Sequence, residues 1–374
     1  MESALILLND FKRQWEDIGA SAVEGFSRFG KSGWYILGGE LASFEEALAE
    51  HWQLRHAVGV GNGLEAIQIA LQATGCKPGD RVLTTPLSAF ATTLAILRLG
   101  ATPVFVDIDS WGLIDLDLAE RVLESYPDIR YMVPVHLFGH ACDLERLTAL
   151  RQRFGITIIE DCAQSVCATW KGTATGTVGQ IATTSFYPTK NLGALGDGGA
   201  ILTDSDEFQR LARSLRDYGQ TSKYKHDFVG YNSRLDELHA AFLLRIALPR
   251  LPAWTARRKE IAGTYLTQIR HDSVRSVGQP EHSNSSWHLF PILVDPERRQ
   301  DFRRHMHEMG VQTGEHYPIA IPDQGALRGM RIEVPVELSR TAKFCKSEVS
   351  VPIHPYLTNS DVDAVVTAIN AWKC

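Results

Sequence analysis

The chain has 374 residues, which at roughly 100–200 residues per domain indicates about two domains. Apolar residues make up 44% and charged residues 22%, so the composition excludes collagen, a long coiled coil and extensive disorder. With 38 Lys and Arg against 44 Asp and Glu, the net charge is −6, and no overall basic charge indicates a nucleic-acid partner.

The cysteines and the chain start indicate the compartment. The six cysteines are scattered without a CxxC pair, so we predict reduced thiols and no bound metal in a cytoplasmic protein. The start Met1-Glu2-Ser3 lacks a basic segment followed by an apolar one, so we expect no signal peptide. The most apolar stretch, residues 87–106, contains Arg98, Gly100 and Pro103, and we predict no membrane span or membrane partner.

Between residues 56 and 205, short apolar runs typical of strands alternate with helical patterns. The predicted strands are 56–60, 81–84, 103–106, 131–137, 156–160, 182–187 and 200–202. The predicted helices are 64–73, 89–99, 116–125 and 144–154. This alternation predicts an α/β fold with a mainly parallel sheet, in which ligands bind at the carboxyl ends of the strands.

The texture becomes helical after Glu207. We predict a helix over 235–248 that ends at Pro249 and Pro252, with a domain boundary near residue 250. The predicted domains are therefore 1–250 and 251–374. The second combines strand 287–294 with helices 297–309 and 360–372, which indicates a smaller α/β C-terminal domain.

A glycine-rich segment, Gly59-Val-Gly61-Asn62-Gly63-Leu64, joins a predicted strand to a predicted helix. Glycines allow close approach of the backbone, and the free amides of a helix start can bind phosphate. A tight strand-to-helix turn explains the same pattern, so both interpretations stay open. The dinucleotide fingerprint GxGxxG is not matched.

Two charged residues follow apolar strands. Asp161 ends one such strand, where a carboxylate is either a buried cap or the partner of a cation such as a pyridinium. Lys190 lies between near-apolar stretches, where desolvation would lower its pKa and make the amine nucleophilic. Most lysines are solvated surface charges, which is the alternative here. Ser185 offers a hydroxyl for a phosphate.

Three motifs carry a family resemblance. They are Glu160-Asp161-Cys162-Ala163-Gln164, the element from Ser185-Phe186 through Lys190 to Gly196-Asp197-Gly198-Gly199, and Gly230-Tyr-Asn232-Ser-Arg234-Leu-Asp236-Glu237. In order and spacing they resemble the DegT/StrS family of sugar aminotransferases, which are pyridoxal-phosphate enzymes. The resemblance extends from about residue 33 to 355. It implies the type I fold: a large domain with a mainly parallel seven-stranded sheet flanked by helices, and a smaller C-terminal domain.

The resemblance also implies roles for matching residues. Lys190 resembles the lysine that forms the Schiff base with pyridoxal phosphate, and Asp161 resembles the acid that pairs with the pyridine nitrogen. The remaining expected contacts are Gln164 with the phenolic oxygen, Ser185 and the amides of Gly63 and Leu64 with the phosphate, Phe90 stacked on the ring, and Asn232 with the phosphate of the neighbouring subunit. The last contact implies a homodimer with shared active sites.

The expected reaction transfers the amino group of L-glutamate to a nucleotide-linked keto-sugar and releases 2-oxoglutarate in a ping-pong cycle. Residues 31–38 and 59–64 resemble the branch that aminates carbon 3, so we expect a dTDP-linked 3-keto-6-deoxyhexose. Asn62-Gly63-Leu64 departs from the Ser-Gly-Thr of most members. Tyr35, His316 and Tyr317 are candidates for the sugar pocket, with core or interface packing as the alternative.

Three other functions stay open at this point. The acceptor could be a 4-keto-sugar, and the enzyme could be a dehydratase, although dehydratases of the family carry His in place of Lys190. The chain could also be a non-catalytic, cofactor-binding regulatory protein.

Overall fold

The computed structural model describes residues 5–373, so Cys374 and the chain start used above lie outside the described residues. The strands are β1 His56–Val60, β2 Arg81–Thr84, β3 Thr102–Phe105, β4 Tyr131–Val133, β5 Thr157–Asp161, β6 Thr169–Trp170, β7 Thr173–Ala174, β8 Ile181–Ser185, β9 Gly199–Thr203, β10 Gln220–Ser222, β11 Lys225–His226, β12 Arg275–Ser276, β13 Ser283–Asn284, β14 Phe290–Leu293 and β15 Glu348–Val351. The helices are α1 Phe11–Ser32, α2 Gly39–Trp52, α3 Gly63–Ala73, α4 Phe90–Arg98, α5 Leu116–Ser125, α6 Leu144–Phe154, α7 Asp206–Arg216, α8 Glu237–Phe242, α9 Leu248–Gln268, α10 Arg299–Glu308, α11 Ser339–Ser347 and α12 Asn359–Asn370.

A seven-stranded sheet in the order β1-β9-β8-β5-β4-β2-β3 forms the centre of the larger part. Only β9 runs antiparallel to its neighbours within this sheet, which confirms the mainly parallel prediction. β5 and β8 are parallel, with Asp161 opposite Thr183. Their carboxyl ends therefore meet at one edge of the sheet, where Asp161 and Ser185 both lie.

The strands of this sheet are buried on both faces. Ile158 packs in a core cluster with Leu83, Val104 and Met132, whereas the next residue, Ile159, packs in another. Successive side chains of a strand point to opposite faces, so each apolar run supplies two cores at once. This explains why the strands read as continuous apolar runs rather than alternating ones.

Two N-terminal helices precede the sheet and were not predicted. The side chain of Asp10 caps α1 by accepting from the amides of Lys12 and Arg13. α2 has no side-chain cap from its own Gly38. Instead, the carboxylate of Glu237 accepts from the amides of Gly38 and Leu41 at 2.7 and 3.0 Å. A negative charge at a helix start is stabilising, and here it comes from a distant part of the chain.

The helix predicted over 235–248 is wrong at both ends. It begins at Glu237, passes through a π-helical turn at Leu243–Ala247 and continues as α9 to Gln268. Pro249 lies in the first turn of α9 and Pro252 inside it. The wide π-helical turn opens the hydrogen-bond ladder immediately before the prolines, which lack a donor. Burial of Leu251 against the core further holds the helix in place.

The strand predicted over 131–137 is also too long. β4 ends at Val133, and Leu137–Gly139 forms a 3₁₀ turn. Pro134 has no N–H to donate to a ladder, so regular pairing stops there. Its carbonyl still accepts from the amide of Asp161 at 2.9 Å, which ties this segment to the end of β5.

The C-terminal part is built on the antiparallel sheet β12-β14-β15. Its core includes Tyr265, Phe290, Phe302 and Val365, contributed by α9, β14, α10 and α12. α9 crosses residue 250 without a break, and the division into 1–250 and 251–374 stays a prediction. None of the helices within residues 5–373 combines the length and apolar character needed to cross a bilayer.

Candidate active site

Lys190 and Asp161 face each other at the carboxyl edge of the large sheet. Lys190 follows β8 in a turn where its amide donates to the carbonyl of Tyr187 at 2.8 Å. Desolvation lowers the pKa of Lys190 to about 8, and the charge of Asp161 limits the decrease. Lys190 keeps some accessible surface and lines a small cavity together with Asn191 and His354. The result is an amine that releases its proton near neutral pH.

Asp161 is buried at the end of β5. Burial raises the pKa of its carboxyl, while hydrogen bonds and the charge of Lys190 oppose that rise. One oxygen accepts from the amide of Ala163 at 3.0 Å and the other from Thr92 Oγ1 at 2.9 Å. Thr92 Oγ1 in turn lies 3.1 Å from Ser88 Oγ. These contacts fix the carboxyl group and can support it in its charged form.

Gln164 connects the β5 edge to the C-terminal part. Its Oε1 accepts from the amide of Phe138 at 2.8 Å, and its Nε2 donates to the hydroxyl of Tyr317 at 3.2 Å. Gln164 is buried, and burial raises the pKa of Tyr317, so the phenol stays protonated. The side-chain amide is therefore oriented from both ends.

The start of α3 lies directly against Ser185. A Cβ added to Gly63 would fall 2.7 Å from the Cβ of Ser185, so only glycine fits. Asn62 caps the helix by accepting from the amide of Glu65 at 2.9 Å. The amides of Gly63 and Leu64, as the first two of the helix, have no acceptor within it. Together with the hydroxyl of Ser185 they form a cradle for an anion.

His316 and His288 also lie near the lysine. Burial and the charge of Lys190 lower the pKa of His316 to about 4. His288 Nδ1 lies 3.2 Å from Asn191 Oδ1, and burial lowers its pKa well below the usual value. Both imidazoles are thus neutral near pH 7 and act as hydrogen-bonding groups.

For other predicted site residues the structure shows the surroundings but no contact that identifies a role. Tyr35 is 54% exposed and its ring lies 5.1 Å from that of Phe29. Asn232 is exposed, in a bridge with Asp217. Leu64 packs against the core beside α3, and Phe90 begins α4, packed against a small cluster. The roles proposed for these residues stay predictions.

One buried group has the residue types of a metal site. Ligand atoms of His136, Glu160 and Cys162 lie within 4.8 Å of one another. The carboxylate of Glu160 already accepts from the amides of Gly176 and Gly179 at 2.8 and 2.6 Å. Burial raises the pKa of Cys162 well above its usual value, so the thiol stays neutral and is a poor ligand. This cluster acts as a structural hydrogen-bond network.

Sequence reasoning missed Thr92 and the acid Glu348 discussed below. Thr92 lies two residues after Phe90, so its position on the first turn of α4 offered a local signal. Glu348 offered none, since only contacts between distant parts of the chain bring it against His316.

The arrangement fits pyridoxal phosphate on structural grounds. The cradle of Gly63 and Ser185 suits a phosphate, Asp161 suits a cationic ring nitrogen, and the desolvated amine of Lys190 suits a carbonyl carbon. All three groups lie at the same edge of one sheet. The residues present therefore match the three ends of this cofactor.

The comparisons agree with this geometry. A family model described as the DegT/DnrJ/EryC1/StrS aminotransferase family matches residues 16–370. The chain is 38% identical over 369 residues to the dTDP-3-amino-3,4,6-trideoxy-alpha-D-glucose transaminase of Streptomyces venezuelae, covering 97% of this chain and 95% of that one. It is 37% identical to the dTDP-3-amino-3,6-dideoxy-alpha-D-galactopyranose transaminase of Aneurinibacillus thermoaerophilus, covering 93% and 94% of the two chains.

Among solved structures, the crystal structure of S. venezuelae DesV in complex with a ketimine intermediate superposes with a TM-score of 0.94. It is 36% identical in sequence, and the match covers 99% of both chains. The chain therefore belongs to the DegT/DnrJ/EryC1/StrS aminotransferase family and is a pyridoxal-phosphate-dependent sugar aminotransferase.

Proposed function

We propose that this enzyme converts a dTDP-linked 3-keto-6-deoxyhexose to the 3-amino-3,6-dideoxyhexose, with L-glutamate as amino donor, in a ping-pong cycle. The observation that carries the proposal is the near full-length similarity to two transaminases whose names place the amino group at carbon 3. The presence of Lys190 at the cofactor edge supports transamination.

The cofactor, when bound, supplies a ring that withdraws electron density from the amino-bearing carbon. Asp161 holds the proton of the ring nitrogen, and Thr92 and the amide of Ala163 keep its carboxyl group in place. Lys190 Nζ binds the cofactor and, once released, moves a proton as general base and then as general acid. In the cofactor-free protein, desolvation lowers the pKa of Lys190 to about 8, which favours the neutral, nucleophilic amine.

The other residues hold and orient the cofactor. We assign the phosphate to Ser185 and the amides of Gly63 and Leu64, the phenolic oxygen to Gln164, and ring stacking to Phe90. Desolvation around these groups strengthens each polar contact, because little water competes for it. Tyr35, His316 and Tyr317 are assigned to the sugar pocket.

A two-step absorption experiment tests the function. L-glutamate should shift the visible band of the bound cofactor, and the correct keto-sugar should then restore it. Offering the 3-keto and 4-keto forms of a dTDP-6-deoxyhexose separately identifies the carbon that is aminated. Restoration by the 4-keto sugar alone would replace this proposal with the 4-aminating alternative.

The same experiment separates the remaining alternatives. A dehydratase would release a deoxygenated sugar without retaining the glutamate nitrogen, which nitrogen-15 labelling of the donor detects. A non-catalytic regulatory protein would bind the cofactor but leave its band unchanged with glutamate. The cytoplasmic location stays a prediction.

We also propose a homodimer in which Asn232 completes the phosphate site of the partner. Exposed apolar side chains of α1, including Trp15, Val23 and Phe26, line a groove with Leu195 and support an interface there. Mixing the inactive Lys190→Ala and Asn232→Ala variants should restore activity, since each mixed dimer has one intact site. Mixtures no more active than the separate variants would refute shared sites.

A further inference from the structure

A buried acid lies behind His316. Glu348 begins β15 and is fully buried, as is Ser350 two residues later on the same face of the strand. Glu348 Oε2 accepts from the backbone amide of His316 at 2.5 Å, and Glu348 Oε1 accepts from Ser350 Oγ at 2.5 Å. Ser350 Oγ also lies 2.9 Å from His316 Nδ1. A closed ring of hydrogen bonds thus joins the carboxyl group to the imidazole.

The backbone holds this ring in register. The amides of Gly314 and Ser350 donate to each other's carbonyls at 2.9 Å, in an antiparallel bridge. The His316 segment is therefore tied to β15 by the backbone as well as by the side-chain contacts. The carboxyl, hydroxyl and imidazole groups have little freedom to change partners.

The number of protons determines the direction of each hydrogen bond. A hydroxyl has one proton, and an ionised carboxylate can only accept. With Glu348 ionised, Ser350 must donate to Glu348, so Ser350 Oγ can only accept from His316 Nδ1–H. The neutral imidazole then has an unprotonated Nε2. We propose that Glu348 is a positioning residue that sets, through Ser350, which ring nitrogen of His316 carries the proton.

Protonation of Glu348 reverses the two side-chain hydrogen bonds, whereas the bond from the His316 amide to Glu348 Oε2 keeps its direction. Glu348 Oε1–H then donates to Ser350 Oγ, and Ser350 Oγ–H donates to His316 Nδ1. One proton is taken up in total, and it binds at Nε2. Nδ1 passes its proton to Ser350, and Ser350 passes its proton to Glu348. The imidazole is neutral before and after, and Nε2 changes from acceptor to donor.

The groups around Glu348 place its protonation, and with it the change of tautomer, near neutral pH. Burial raises the pKa of Glu348 to about 7, and the charge of Glu315 adds to the rise. Hydrogen bonds from Ser350 and the His316 amide oppose it, as does Arg299. Arg299 is itself bonded to Glu315 at 2.9 Å.

Of the titratable groups around the network, Lys190 has a pKa near this range, since desolvation lowers it to about 8. Burial raises the pKa of both Cys345, to about 12, and Tyr317, and the charge of Glu348 contributes to each rise. His316 itself is neutral, with a pKa of about 4. Lys190 and His288 are the titratable groups on the site side of the imidazole.

The consequence concerns the acceptor half of the reaction, and to that extent this inference rests on the proposed function. Above the pKa of Glu348, Nε2 offers a lone pair within electrostatic reach of Lys190, which suits an incoming hydroxyl or ammonium. Below it, Nε2 offers a proton. Glu348 would thereby act as a proton reservoir for the site.

Nitrogen-15 NMR of the full-length holoenzyme, labelled at histidine, tests the inference directly, because protonated and unprotonated ring nitrogens differ strongly in chemical shift. His316→Gln identifies the signal. In the wild type, Nε2 should be unprotonated at pH 8.5 and become protonated as the pH falls through about 7. An Nε2 that keeps one state from pH 5.5 to 8.5 would overturn the inference, and this titration needs no variant at Glu348.

Glu348→Gln fixes the protonated arrangement. The amide of His316 requires an acceptor, so the Gln oxygen faces it and the NH₂ group faces Ser350. Ser350 must then donate to Nδ1, and Nε2 should carry a proton at every pH. The matched control is Glu315→Gln, which removes a neighbouring charge outside the ring of bonds. It should keep the change of tautomer and move its midpoint to lower pH.

The pH dependence of enzyme activity provides a second measurement. The pH profile of kcat should lose its inflection near pH 7 in Glu348→Gln, whereas Glu315→Gln should keep an inflection that is moved to lower pH. If the tautomer of His316 changes with the protonation of Glu348 but the enzyme does not act on 3-keto sugars, the proposed substrate is refuted. The relay from Glu348 through Ser350 to His316 is not refuted by that outcome. An active enzyme whose Glu348→Gln variant keeps the wild-type tautomer would refute the relay alone.

Discussion

Glu160 and Asp161 are adjacent acids of β5, yet their surroundings on the two sides of the strand shift their pKa values in opposite directions. Burial alone would raise the pKa of both. On one side, His136 and the amides of Gly176 and Gly179 outweigh burial and lower the pKa of Glu160. On the other side, burial outweighs the bonds to Asp161, and its pKa is raised.

The difference between the two acids shows how a functional carboxylate can be distinguished from a structural one. Glu160 has the partners that an ionised carboxylate needs, so it stabilises the fold. Asp161 has fewer partners than its charge requires, together with the cation Lys190 nearby. A buried acid whose charge is incompletely satisfied is typical of a binding or catalytic position.

The largest expected effect is at the lysine opposite Asp161. Lys190→Ala should lower turnover by at least about 10³-fold, because one amine serves as nucleophile and as proton carrier. Transamination of a keto-sugar with glutamate measures it. Thermal unfolding should show a folded protein, since the substitution removes a desolvated amine. Turnover close to wild type would refute the assignment.

The substitution Asp161→Asn tests the difference between Asp161 and Glu160. We expect turnover to fall by about 10²-fold while the folded state is retained, because a neutral amide cannot hold the ring-nitrogen proton. The measurements are kcat and urea unfolding on the same preparation. If stability fell and kcat per folded molecule did not change, Asp161 would be structural, as Glu160 is.

The reverse result is expected for Glu160→Gln. An amide cannot accept from His136, Gly176 and Gly179 together, so the free energy of unfolding should fall by about 1–3 kcal/mol. Because the lowered pKa of Glu160 supplies stability at neutral pH, the variant should also lose less stability than the wild type under acid. Urea unfolding at pH 7 and at pH 4 tests both statements.

The phosphate cradle allows a finer comparison along β8. Ser185→Ala should weaken cofactor binding about 10-fold, as expected for one hydrogen bond to a charged group. Its neighbour Thr184 has an Oγ1 with no hydrogen-bond partner within the described chain, so Thr184→Val is the matched control and should not change affinity. Equal effects of the two substitutions would remove Ser185 from the phosphate site.

The smallest expected effect is a change in the stability of the folded enzyme with pH. The unfolded chain keeps the Lys190 proton up to about pH 10.5, whereas the folded chain releases it near pH 8. The unfolded state therefore binds more protons between these values, and the stability of the cofactor-free enzyme should rise with pH across that window. Lys190→Met should remove this rise. Cofactor capture by the wild type should accelerate through pH 8, and a flat profile would contradict the lowered pKa.

Local patterns were sufficient for the regular elements of the large sheet. The predicted limits of β1, β2, α5 and α6 agree with the structure. The apolar strands and glycine-terminated helices there carry their own signals. α2 was missed because the carboxylate that caps it belongs to Glu237, and no local window contains both. The prolines after Ala247 misled the prediction because a π-helical turn accommodates them.

The sequence alone determined the α/β class, the family and the edge of the sheet on which Asp161, Ser185 and Lys190 lie, because each of these depends on order and spacing along the chain. Tertiary structure alone decided the protonation of these groups and the placement of Thr92, Tyr317 and Glu348 around them. A pKa depends on burial and on neighbours that the fold brings together, so the properties of the site arise only once β5, β8 and β15 have found their partners.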